Sequence, residues 1–136
     1  MSGMTKHGGL GPGRLGPALY YGGLWGLGEA VLGHLLHVIR VPGLPGFVMG
    51  PFAAIVMVRV AAASPSQAAG AIFLAGAVAA SLKLLDLFFP GTDLAALANP
   101  VQAILLETLA GALWASGPSR QRGAAPVQGP SPAGHP

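Results

Sequence analysis

Long apolar stretches broken by proline and glycine organise this chain. They run over about residues 18–39, 68–89 and 100–116, with a further stretch that ends at Ala63 and begins near Leu44 or later. At about 1.5 Å of rise per residue, some 20 helical residues cross a ~30 Å hydrocarbon layer. In the first stretch, YYGGLWGLGEAVLGHLLHVIR, a helix gathers Gly22, Gly26, Glu29, Gly33, His37 and Arg40 within about a quarter of its circumference, and Leu24, Leu27, Val31, Leu35 and Val38 fill the rest. Such a stripe of small and ionisable residues cannot face lipid, so it predicts a helix contact or a polar cavity on that side. Tyr20, Tyr21 and Trp25 are placed to anchor the start of the span at the membrane interface.

The breaks set the boundaries. VPGLPGFVMGP carries Pro42, Pro45 and Pro51 with Gly43, Gly46 and Gly50. It predicts either a second helix that begins near Leu44 and kinks at Pro51, or a re-entrant segment before a later start. Ser64-Pro65-Ser66 turns the chain into the third helix, which Pro90-Gly91 stops. Asn99 then reads as a cap with Pro100 at the first helical position and Gln102 reaching back, which starts a fourth helix that ends near Ser116. Residues 94–98 add a half-turn or an interfacial piece at its mouth. The predicted fold is all-α: an integral membrane bundle of four transmembrane helices with a kinked or re-entrant Pro/Gly segment before helix 2. A polar leader covers residues 1–17, the transmembrane domain 18–116, and a disordered tail 117–136, which holds almost no large apolar residues.

Composition agrees with that pattern. The chain is 52% hydrophobic and 8% charged with a mean hydropathy of +0.62, too few charges to clothe a water-soluble surface. The leader has no short apolar core with a cleavage site, so it reads as uncleaved. The formal charge is +3, but the basic residues are scattered, which argues against nucleic acid as a partner. Their placement instead orients the bundle. Lys6, Arg14, Arg59, Arg120 and Arg122 fall on one side and Arg40 on the other, which predicts a multi-pass protein of the cell membrane with both termini cytoplasmic.

Ionisable groups inside apolar spans cost several kcal/mol unless paired or hydrated, at roughly 2.5–3.5 kcal/mol on insertion scales. They are the first candidates for chemistry. Glu29, His34, Lys83 and Glu107 lie well inside the predicted spans, with His37 a turn after His34. Lys83 shares a face with Gly76 and Ala80, and Glu107 shares one with Ala103, Gly111 and Trp114. The structural reading is a Lys83 pair with Glu107 or Asp86 that fixes helix register; the functional one makes Glu29, Lys83 and Glu107 the lining of a ligand cavity. At matched depth in antiparallel neighbours, Lys83 and Glu107 are the expected pair. His34 and His37, three apart, can reach one ligand, but lack the zinc-peptidase acid between them and have no partner histidine in another span. Hydrogen bonding at the interface is the plainer role, and neither a metal nor a cofactor is expected. Gly22, Gly26, Gly33, Gly76 and Gly111 are the expected packing positions. With no cysteine, no phosphate-cradling loop and no nucleophile context around Ser81, Thr108 or Ser116, nothing points to an enzyme.

The small-residue first helix (Gly22, Gly26, Ala30, Gly33), VPGLPGFVMGP, KLLDLFFPG and NPVQAILLETLAG together resemble the substrate-binding S components of energy-coupling factor (ECF) transporters. The resemblance implies a first helix that docks on a shared coupling subunit and a small molecule held near the outer face by loops and helix ends. The expected function is a small-molecule transport or substrate-binding subunit acting with partner chains. The alternative is a non-transporting structural or assembly subunit whose small faces pack against other membrane helices or a second copy of itself.

Overall fold

The computed structural model describes residues 12–39, 41–88 and 93–117, and these are all-helical, without a strand among them. Helix α1 (Pro12–Gly28) runs through a π-helical turn, Glu29–Gly33, into α2 (His34–Ile39), so the three form one rod. It starts six residues before the expected Ala18. Pro12 opens it where no amide partner is needed, and Pro17 sits close enough to the start to be tolerated above Gly13, whose surroundings are open. The end of the expected leader is therefore helix; residues 1–11, the tail beyond residue 117, Arg40 and the Pro90-Gly91 stop lie outside the described residues.

Helix α3 (Leu44–Ala63) begins directly after a turn at Gly43, whose φ of 79° is the left-handed conformation that glycine adopts without strain. Leu44 N donates to Val41 O at 3.2 Å and Phe47 N to Gly43 O at 3.0 Å, which secures the entry. Of the two readings of VPGLPGFVMGP, the chain takes the one that is helical from Leu44, with Pro51 inside the helix on an exposed side. A 3₁₀ turn (Pro65–Gln67) leads to α4 (Ala68–Leu84), and a second (Leu85–Phe88) extends it.

Helix α5 (Leu94–Ala115) corrects the expected start at Asn99. Leu97 N bonds to Asp93 O at 3.1 Å and Leu97 is buried, so the turn before Pro100 is fixed by packing and Pro100 lies inside the helix. Proline there removes one backbone bond, and the buried leucine a turn earlier offsets that loss.

Helix α4 is the centre of the assembly, with α1 along one flank, α5 along another, and α3 against all three. Its buried positions are nearly all small: Ala68, Ala71, Ile72, Ala75, Gly76, Ala79 and Ala80. Such a thin helix lets backbones approach closely, and the first rod answers with its own buried stripe of Ala18, Gly22, Trp25, Gly26 and Glu29. Trp25, expected at the interface, is instead fully buried; Tyr20 is exposed and meets Tyr21 edge to face at 5.0 Å. The hydroxyls inside the helices bond to their own backbone: Ser81 Oγ donates to Ala77 O, Thr108 Oγ1 to Ile104 O and Ser116 Oγ to Ala112 O.

Outward, the bundle is apolar. Leu24, Leu27 and Val31 on the first rod, Phe47 and Ile55 on α3, Phe73 on α4, and Leu106, Leu113 and Trp114 on α5 all stand exposed. Among the described residues, two helical stretches, Leu44–Ala63 and Pro65–Phe88, are long and apolar enough to cross a membrane.

Candidate functional site

The ionisable groups gather around the π turn of the first rod. Glu29 opens that turn and is 8% exposed. A π turn inserts one residue into the helical register, and here it closes the buried stripe: Ala30, Val31 and Leu32 beyond Glu29 all face outward. Oε2 of Glu29 lies toward Gly33, 3.5 Å from where a Cβ on that glycine would stand. So Gly33 makes room for a carboxylate, whereas it was expected at a helix contact.

One turn before Glu29, the buried Trp25 ring directs its indole side toward the carboxylate and interacts with it. The Nε1–H completes no hydrogen bond of ordinary geometry. Across the interface, Lys83 on α4 is the nearby cation for Glu29. Lys83 itself is held by Asp86, Nζ to Oδ2 at 2.7 Å, one turn along the same helix.

Glu107 does not take up the expected partnership with Lys83. On α5 it is half-buried, its charged neighbour is Glu29, and its Oε1 lies 3.9 Å from a Cβ position on Gly50 of α3. The reason is local: Asp86 reaches Lys83 within one helical turn, while the buried face of α5 is Leu97, Ile104, Thr108 and Gly111, which sets Glu107 to one side. Ala103 and Trp114, expected on the same inner face as Glu107, are exposed.

The expected packing glycines divide into two kinds. A Cβ on Gly22 would stand 2.5 Å from the Ala75 carbonyl oxygen, and one on Gly26 would meet Leu82 Cδ1 at 2.8 Å and Ala79 Cα at 3.2 Å. Gly76 meets the side chain of Thr108, and Gly111 meets Met57 Sδ. At Gly28, not singled out in the sequence, an added Cβ would stand 2.6 Å from Cε1 of the Phe52 ring. The small face of α1 is thus filled by α4 of the same chain, and a partner subunit would meet another face. The side chains of His34 and His37 lie outside what the structure describes.

Glu29 has Lys83 on one side and Glu107 on the other, and Lys83 is paired with Asp86, so three carboxylates share this region with one ammonium. Carboxylates only accept hydrogen bonds when ionised, so the excess of acid suits a ligand that donates hydrogen bonds or carries positive charge. Among the described residues no group of three or more histidine, cysteine, aspartate or glutamate side chains is arranged to hold a metal ion. No known family, curated protein or solved structure matches this chain. The functional reading therefore rests on the geometry.

Of the residues that build this site, Trp25 and Gly50 were not anticipated. Trp25 stands four before Glu29, the spacing at which helical neighbours meet, and that was the available signal. Gly50 gave none.

Proposed function

We propose that this is an integral membrane protein of the cell membrane, with four spans and both termini cytoplasmic, that serves as a small-molecule transport or substrate-binding subunit alongside partner chains. The observation that carries the reading is a charged cluster drawn from the first rod, α4 and α5, beside Gly50 of α3, inside a bundle whose outer surface is apolar on every rod. Lipid accommodates such a surface, and intramembrane ionisable groups mark solute or ion paths. The solute is one with donors or positive charge, and the resemblance to ECF S components fits the same class of function.

The second reading, a structural or assembly subunit, has its own support. Lys83 is already paired with Asp86, and the glycine contacts are closed within the chain. Affinity purification of the tagged chain in mild detergent separates the two. Transport predicts co-purifying membrane and ATPase chains together with a small molecule that Glu29→Gln releases. Recovery with membrane proteins alone, unchanged by Glu29→Gln, would favour the assembly reading.

A further inference from the structure

The first rod is held firmly up to its π turn and lightly beyond it. Below the turn, α1 buries Ala18, Gly22, Trp25 and Gly26, and the Phe52 ring lies where a side chain on Gly28 would stand. Above it, none of the described side chains of α2 is buried, and Leu35 and Val38 are 56% and 64% exposed. Past its far end the chain reaches Gly43, which has a φ of 79° and no other described atom within 4 Å of its Cβ position. A helix of 6 residues thus lies between two places where the backbone turns readily, the π turn that ends at Gly33 and the left-handed Gly43.

The sequence supplies a second position for this helix. In an unbroken α-helix Gly33 continues the line of Gly22, Gly26 and Glu29, whereas the inserted residue of the π turn rotates everything beyond it by about 100°. Regular helix over Glu29–Gly33 brings Gly33 back onto the small face of the rod and carries α2 round with it. Oε2 of Glu29 lies toward Gly33, so this turn bounds the charged cluster on that side.

We propose that α2 is a hinged lid beside the Glu29 cluster, open with the π turn in place and closed when Glu29–Gly33 relaxes to α-helix. Lids are drawn from the least secured elements of a fold, and among the described residues α2 is the only α-helix without a buried side chain. Its role as a lid rests on the binding reading above; the two registers do not.

The chain contains no cysteine, so pairs of introduced cysteines carry nitroxide labels on the full chain in detergent, with no ligand added. Val38→Cys with Leu106→Cys spans the turn, and Leu27→Cys with Leu106→Cys stays below it; all three positions are exposed. A rotation of ~100° carries an exposed side chain by about 8 Å. A minor state within a few kcal/mol holds up to about 10% of the molecules. Pulsed electron paramagnetic resonance should therefore give two distances between positions 38 and 106, differing by up to about 8 Å, and one between positions 27 and 106. Deletion of Ala30, which removes the extra residue, should leave a single distance between the first pair. Melting of the deletion variant reports folding; should it fail to fold, the wild-type distances decide alone. A single distance between positions 38 and 106 in the wild-type background, two distances for both pairs, or two that survive the deletion would overturn the lid. Because no ligand is present, that result leaves binding at the cluster to be judged by the purification.

Discussion

Gly22→Leu should disrupt the bundle, and Gly22→Ala should already weaken it. The added Cβ meets the carbonyl oxygen and Cα of Ala75, at 2.5 and 2.9 Å, and backbone atoms cannot rotate aside as a side-chain tip can. Relief requires separating α1 from α4, the contact on which the small residues of both helices converge. Overpacking of this kind costs about 1–3 kcal/mol for a small intrusion and more for a branched one. Gly33→Ala is the comparison, since its new methyl would stand in ordinary contact with Glu29 Oε2. Thermal melting in detergent should show a large loss for both Gly22 variants and little for Gly33→Ala. Equal behaviour of Gly22→Leu and Gly33→Ala would mean that the α1–α4 contact is not close.

Lys83→Met should have the second large effect, because it removes the cation that pairs with Asp86 and lies near the buried Glu29. Lys83 is 14% exposed and Asp86 32%, which places their pair between the buried limit of about 3–5 kcal/mol and the exposed limit of about 0–1. A destabilisation of about 1–3 kcal/mol follows. Double-mutant cycles assign the partner. Lys83→Met with Asp86→Asn should be less damaging than the sum of the single changes, while Lys83→Met with Glu107→Gln should be additive within about 0.5 kcal/mol. Additivity for Asp86 and coupling for Glu107 would restore the pairing that helix depth alone suggested.

That exchange of partners shows where sequence reasoning reached its limit. Depth along antiparallel helices brought Glu107 level with Lys83, but rotation about the helix axis decides contact, and on α5 the buried line runs through Ile104, Thr108 and Gly111. The short-range alternative, Asp86 three residues away, needs no tertiary information and prevails. Helix type, the entry at Leu44 and the close approaches at Gly22, Gly26, Gly76 and Gly111 were within reach, because lengths and small-residue spacing carry them. The π turn was not: a one-residue insertion at Glu29 leaves the apolar pattern on both sides intact. Nor was the placement of Trp25, since an aromatic near the start of a span serves as an interfacial anchor or as core, and only tertiary packing decides between the two. The start of α5 was misplaced because Asn-Pro is a strong local signal, which burial of Leu97 outweighs.

The central claim is that the exposed apolar faces of this bundle lie in lipid. The chain contains no cysteine, so single cysteines can be introduced and probed with a membrane-impermeant maleimide without background. Phe73 and Leu106, 60% and 67% exposed on α4 and α5, should resist labelling in intact membranes when replaced by cysteine. Thr92→Cys should label from outside, and Ser119→Cys only after the membrane is opened. Labelling at positions 73 and 106 as fast as at the accessible sites would place those faces in water and contradict the account.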